Sequence, residues 1–386
     1  MPDSVTADIK KALLVLLKER DIRQITMKEI AGHANVSRGT LYLYYEDKFS
    51  VFEDIAEEMK EGLSQALYDS LKNKDYLNLN RKWQKVHPTL SFVDQHRSFF
   101  HTMMDRDKMP YLNFHRFFRD VFHQDVMLSP INSNLTPIEQ DIYGHYRALY
   151  TYAIILYWLK EDPAASAEDV SQQVWDLISQ KRFYWLFGNP AAVKQKEEKH
   201  TDRRIVRTRQ ALQEALLELI VEKKEYAAVT ISDITRKSNI RRATFYDHYA
   251  NKEELLKTMI HQSCSELIEI FTITANPETY SMAEAEVALV RLFSALSDQM
   301  SIMHFLDTDY GIPDLIPEIF RALESFYLHQ QVDIHAGKKL YAYYVAAMII
   351  GLILYRLHEG KEHAPEVLAR EFLQFLDVKK YKVILL

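Results

Sequence analysis

An arginine, a hydroxyl, a phenol and, further on, a lysine stand at Arg38, Thr40, Tyr42 and Lys48. The same four types return at the same spacing, 204 positions later and without a gap, as Arg242, Thr244, Tyr246 and Lys252. A guanidinium can bond both groove-edge acceptors of guanine at once, whereas hydroxyl, phenol and ammonium groups suit phosphate oxygens. Crowded near one helix N-terminus, such side chains suit a DNA major groove, with the terminal amides adding an anion site. Catalysis has no comparable starting point. The sequence holds no P-loop, dinucleotide fingerprint or GxSxG elbow, and its histidines lack a metal-ligand spacing such as HExxH. No enzyme, metal or cofactor is expected.

The elements that must position these groups are legible around them. Residues 26–48 read TMKEIAGHANVSRGTLYLYYEDK and residues 230–252 read TISDITRKSNIRRATFYDHYANK. Thr26 with Glu29, and Thr230 with Asp233, form capping boxes that start a short helix. Ile30 and Ile234 face inward, and these helices end near Ala34 and Ser238. Asn35 and Asn239 then stand where the chain must reverse with positive φ, which asparagine tolerates well among non-glycine residues. Val36 and Ile240 fill the turn. A second helix puts Leu41 and Tyr45, or Phe245 and Tyr249, inside. Ser37, Arg38, Thr40, Tyr42, Leu43 and Tyr44 face outward in the first copy, and Arg241, Arg242, Thr244, Tyr246 and His248 in the second. Asp47 and Asn251 cap the next helix. Lys48 and Lys252 open it, where charge and unpaired amides could grip one phosphate. Leu13, Leu14, Leu16 and Leu17, and Leu212, Leu216, Leu217 and Ile220, mark an amphipathic helix ahead of each motif.

Over about 50 residues in each half, these motifs resemble the tetracycline-repressor (TetR) family of bacterial transcription regulators. The resemblance rests on VSRGTLYLYYEDK and NIRRATFYDHYANK, and beyond the motifs it is architectural only. It implies an all-α protein with N-terminal DNA-binding heads and C-terminal bodies for dimerisation and ligand binding. By position it makes Arg38, Leu43 and Arg242 base-reading candidates. Thr26, Thr40, Tyr42, Tyr44 and Lys48, with Thr230, Thr244, Tyr246, His248 and Lys252, become mainly phosphate contacts. The chain departs from the family pattern in three ways. Both turns carry asparagine where glycine is usual. The second recognition helix has Ala243 for glycine and an outward Asp247. Two heads lie in one chain where most members carry one.

Length, at 386 residues, allows two or three domains, and nine glycines with eleven prolines favour helices over a loop-rich β fold. The motif repeat, echoed by Tyr157-x-Leu159-x-Glu161 and Tyr355-x-Leu357-x-Glu359, predicts two halves. The expected division is a head at 1–60, a body at 61–187, a linker at 188–202, a second head at 203–263 and a second body at 264–386. Apolar helices at 141–160 and 167–187 are expected to pack against 336–357 and 366–378, giving a single-chain pseudo-dimer, with further homodimerisation open. Phe99, Phe100, His101, Met103, Met104, Phe114, Phe117 and Phe118 either line a pocket for a small apolar effector or form ordinary core. Arg203, Arg204, Arg207 and Arg209 either approach a DNA backbone or cover a solvated face, with a weaker echo in Lys10 and Lys11. The single Cys264 excludes an intramolecular disulfide framework. The run Leu340–Tyr355 is interrupted by Gly351 and falls short of the roughly 20 residues that span a bilayer, so a buried helix is expected, in a cytoplasmic protein without membrane contact. The main reading is an effector-responsive repressor on an asymmetric double-stranded DNA operator. The alternative is an adaptor of the same fold that binds a protein partner, which the net charge of −6 and Asp247 favour slightly.

Overall fold

A computed structural model describes residues 2–72, 86–104, 117–118, 121, 136–179, 203–272, 282–298, 302–305, 315–328 and 337–375. Among them every regular element is helical. The first half carries α1 (Pro2–Leu17), α2 (Met27–His33), α3 (Arg38–Tyr44), α4 (Lys48–Lys72), α5 (Pro88–Gln95), α6 (Arg97–Met104), α7 (Pro137–Glu161) and α8 (Ala167–Ser179). The second carries α9 (Arg203–Lys223), α10 (Ile231–Lys237), α11 (Arg242–His248), α12 (Lys252–Thr272), α13 (Met282–Asp298), α14 (Leu315–Leu328), α15 (Lys338–His358) and α16 (Pro365–Phe375). The expected linker at 188–202 lies outside the described residues.

The chain forms two compact units. The first holds residues up to 135 together with Arg147–Ser179, and the second holds Thr136–Tyr146 with 180–381. The division therefore falls within α7, not only between the two halves of the sequence.

In the first unit α1 packs on α2 and α4. Ile9, Leu13 and Leu17 meet no solvent, nor do Ile30, Leu41 and Val51. α4 continues past the head and packs along α5. Gly62 permits this approach, since a Cβ there would run into the ring of Phe92. Arg97 ties α6 to the end of α7: its guanidinium lies 4.6 Å from the Trp158 ring and donates to Pro163 O at 2.8 Å. Phe99, Phe100, Phe117 and Phe118 are buried, with neighbouring rings edge-on or tilted at 5.2–6.2 Å. Met103 is buried beside them, Met104 half-buried and His101 exposed. Phe114 lies outside the described residues.

In the second unit α9 packs on α10 and α12, and α14 on α15. Arg356, though buried, is satisfied by backbone: it donates to Phe293 O at 3.3 Å, to His363 O at 2.8 Å and to Gly360 O. Residues 136–146 add further polar ties within this unit. His145 Nε2 meets Glu359 at 2.7 Å, the Tyr146 and Tyr344 hydroxyls meet at 2.5 Å, and Thr136 Oγ1 donates to Glu371 at 3.2 Å. The run Leu340–Tyr355 is buried as expected, but not because it is short. α15 has 21 residues and is long and apolar enough to cross a membrane, yet its apolar stretch is wholly buried inside the protein. Burial, not length, gives it a core role.

Candidate nucleic-acid interface

Each head is built by local bonds that the sequence dictates. Thr26 Oγ1 accepts from the Glu29 amide at 3.3 Å while the Glu29 carboxylate accepts from the Thr26 amide at 2.9 Å. Thr230 and Asp233 repeat this at 3.2 and 3.1 Å. Each capping acid also holds a cation that sequence spacing did not reveal: Arg20 at 2.8 Å from Glu29, and Lys223 at 2.6 Å from Asp233. Arg20, then the Thr26 hydroxyl and amide, draw the Glu29 carboxyl down to about 2. Lys223, then Thr230, hold Asp233 well below the usual carboxylate range.

The turns follow the expected geometry. Asn35 and Asn239 adopt φ of 54° and 55°, and Val36 and Ile240 close each turn through backbone bonds to Ala31 O and Thr235 O, both at 3.0 Å. Those two side chains are half-buried. Leu41, Tyr45, Phe245 and Tyr249 anchor the recognition helices in the core. Ala243 in place of glycine is geometrically harmless. A Cβ at the matching Gly39 would meet only Ser37 Oγ, at an ordinary 3.7 Å.

The outward face is open in both copies. Arg38, Tyr42, Leu43 and Tyr44 are exposed, Leu43 at 82 %, as are Arg241, Arg242 and Tyr246. Thr40, Thr244 and His248 are half-exposed, and Thr26, Ser37 and Thr230 exposed. An 82 % exposed leucine on a helix whose Leu41 is fully buried is not there for its own core. Arg242 folds back on its helix, 3.3 Å from the Tyr246 hydroxyl with its guanidinium 5.8 Å from the ring.

The two lysines open α4 and α12 as expected, and each ammonium group also has internal partners. Lys48 Nζ turns inward and donates to Arg23 O and Ile25 O, both at 2.8 Å. Lys252 Nζ donates to Tyr226 O, Ala227 O and Val229 O at 3.0, 3.4 and 2.8 Å, and lies 4.3 Å from the Tyr226 ring centre. The physical reason is the segment before each capping box, whose carbonyls have no helical partner and need a donor. Here both lysines serve as internal clamps between the helix that follows each head, α4 or α12, and that segment. Asp47 and Asn251 do cap those helices, accepting from Ser50 and Glu254 amides at 2.8 Å.

Charge distinguishes the heads. Residues 26–48 carry Lys28, Arg38 and Lys48 against Glu29, Glu46 and Asp47, a net of zero. Residues 230–252 carry Arg236, Lys237, Arg241, Arg242 and Lys252 against Asp233 and Asp247, a net of +3. Arg203, Arg204, Arg207 and Arg209 on α9 are exposed. Lys10, their expected echo, is instead tied to Asp54 at 3.0 Å and Glu58 at 2.9 Å.

A second feature lies within the first unit, beneath its head. A small cavity of about 30 Å³ is lined by aliphatic residues including Leu67 of α4, and by His87, Thr89, Arg147, Tyr150 and Thr151. It is not the aromatic cluster singled out in the sequence. A lone arginine inside an apolar helix carries no periodic signal, so nothing in the sequence flagged Arg147.

The family described as "Bacterial regulatory proteins, tetR family" matches residues 9–55 and 214–259, the two heads. A protein of Bacillus subtilis (strain 168), "Uncharacterized HTH-type transcriptional regulator YxbF", is 68 % identical over 386 residues, covering all of both chains.

Proposed function

The chain belongs to the TetR family of bacterial regulatory proteins, with two of the family's heads in one polypeptide, and from that premise we propose that it is a repressor reading an asymmetric operator. Its status as a helix-turn-helix transcription regulator follows from the family. The observation that carries the finer reading is the pair of unlike exposed faces. Arg38, Leu43 and Tyr44 stand out from α3, whereas Arg242, Tyr246 and Asp247 stand out from α11. Unlike faces prefer unlike half-sites, about one helical turn apart or slightly more on the duplex. Arg38 and Arg242 each read a base, and the hydroxyls with the helix N-termini hold phosphates. Such a protein works on chromosomal DNA in the cytoplasm.

One chain supplies both halves of the dimer. Residues 136–146 come from the first body by sequence yet pack with α15 and α16 in the second unit. Covalent linkage gives an effective concentration on the order of millimolar, so pairing of heads does not depend on dilution. Release follows from a small apolar effector that binds the first body and shifts α4. α4 carries Lys48 at its start and Leu67 in the cavity wall, a span of roughly 28 Å at 1.5 Å per residue. An effector that displaces the Leu67 end displaces the helix clamped to the head.

Footprinting of the chain on DNA from its own promoter, over a salt series, tests the reading. Arg38→Ala is expected to relax preference in one half-site and Arg242→Ala in the other, at about 1–3 kcal/mol each. Equal weakening on all DNA by both variants removes base readout. No retention even at low salt supports the protein-binding adaptor instead.

A further inference from the structure

The two recognition helices are built alike yet differ in chemistry at one outward position. Each has seven residues, is entered at φ, ψ of −69°, 152° or −67°, 143°, and is left at −138°, 130° or −144°, 131°. Equivalent side chains therefore leave each helix at the same place relative to its own head. The outward faces agree at Arg38 and Arg242, Thr40 and Thr244, and Tyr42 and Tyr246. At the next outward position they part: Leu43 stands where the second copy has Asp247.

Neither side chain serves its own head. Leu43 is 82 % exposed. Asp247 is exposed too, and its carboxylate has no hydrogen bond or ion pair among the described residues. A bare carboxylate is a liability on a surface that meets phosphates, because like charges repel. The second helix carries the compensation at its other end, where Arg241 replaces Ser37. Residues 37–44 hold Arg38 as their one charged side chain, a net of +1. Residues 241–248 hold Arg241 and Arg242 against Asp247, again a net of +1 with His248 neutral. The faces are equal in charge and opposite in character at a single position.

In the major groove a C5-methyl marks thymine and an N4 amino group marks cytosine. Leucine offers hydrocarbon to the first and no acceptor to the second. Aspartate offers an acceptor to cytosine, and against thymine it would face the O4 acceptor, which repels it.

We propose that Leu43 and Asp247 set the operator's asymmetry: Leu43 packs on a thymine methyl in one half-site, and Asp247 accepts from a cytosine amino group at the equivalent position of the other. The shared arginines read guanine in both. Five residues, about 7.5 Å along the helix axis, separate each arginine from this position. That exceeds the base-pair rise of about 3.4 Å, so the guanine and the discriminating base belong to different pairs. The operator is a near-palindrome broken at the pair these two residues reach. The inference deepens the asymmetric-operator reading above and rests on it.

Selection of bound duplexes from a randomised double-stranded DNA library, by the full chain and by two variants, tests it. The unaltered chain should recover half-sites that share a guanine, with thymine in one and cytosine at the equivalent position of the other. Asp247→Leu should turn that cytosine into thymine, and Leu43→Asp that thymine into cytosine, each leaving the other half-site as it was. Melting curves of both should stay close to that of the unaltered chain, since neither side chain packs on its head. On the selected operator, uracil in place of the thymine removes only the methyl and should weaken binding about fourfold. It should make no difference to Leu43→Asp. Thymine in place of the cytosine should weaken binding at least about fivefold. Half-sites that match at this position, preferences that neither variant moves, or uracil bound as well as thymine would overturn the proposal and leave the regulator reading standing. Recovery of no preferred sequence would overturn both.

Discussion

At the start of the first recognition helix Ser37 closes the N-terminus with its own hydroxyl, which accepts from the Thr40 amide at 2.9 Å. At the same place in the second, Arg241 makes no side-chain cap bond and stays exposed. The lysine clamp is weighted the other way. Lys48 meets two carbonyls, whereas Lys252 meets three and the face of Tyr226, where the first head has Ile22. The two heads share a backbone plan but differ in where local stability sits. The first is neutral over the motif and well capped, and the second is basic and more firmly clamped from behind. A long-range field that attracts any phosphate is thus concentrated on one head, and a serine-capped frame of no net charge on the other.

The largest effect that would separate the heads comes from their core anchors. Phe245→Ala should cost about 3–5 kcal/mol and Leu41→Ala about 2–5 kcal/mol. Each should abolish protection of its own half-site only, read by chemical denaturation and footprinting on the same preparations. Loss of both half-sites from either variant would mean that the heads do not act separately.

Next comes the clamp. Lys252→Met should cost about 1.5–3 kcal/mol, and Lys48→Met less, because hydrogen bonds to a charged donor are lost and carbonyls are left to find water. Urea titration measures both. If stability is unchanged while the salt slope of DNA binding falls by about 0.9, the lysines are phosphate contacts after all.

A swap at the caps is smaller and sharper. Ser37→Arg should destabilise by about 0.5–2 kcal/mol and steepen the salt dependence of binding, and Arg241→Ser should do the reverse on both counts. Melting curves beside binding isotherms at several salt concentrations show whether cap and charge exchange as described.

The smallest effect is acid sensitivity. Glu29 has its folded pKa lowered from 4.5 to about 2. A lowered pKa means that its contribution is complete above about 4.5 and is lost as pH falls towards 2. Glu29→Gln should therefore flatten the stability-against-pH curve in that window, and a curve of unchanged slope would show that Arg20 and Thr26 do not hold the charge.

Much of each head was legible before any coordinates. Capping boxes, positive-φ asparagines and helix N-caps are properties of four or five consecutive residues, so spacing alone locates them. The buried set of Leu41, Tyr45, Phe245 and Tyr249 follows from helical periodicity in the same way. The lysine clamp was not legible, because its acceptors lie 23 to 26 positions earlier in the chain. The same holds for Arg20 on Glu29 and for Lys10, whose partners are set by how helices approach. The body was the least readable part. Its aromatic residues at 99–118 attracted attention by composition, while the cavity turned out to be bounded by Leu67, His87 and Arg147, which are far apart in sequence.

The sequence by itself determined that the chain is helical, duplicated and equipped with two outward faces of different charge. These follow from local propensity and from comparing one stretch with another. Tertiary packing alone decided which charged groups are turned inward, where α7 passes from one unit to the other, and which side chains ring the small cavity of the first unit. Those outcomes depend on distances between residues remote along the chain, and no pattern of neighbours encodes such distances directly.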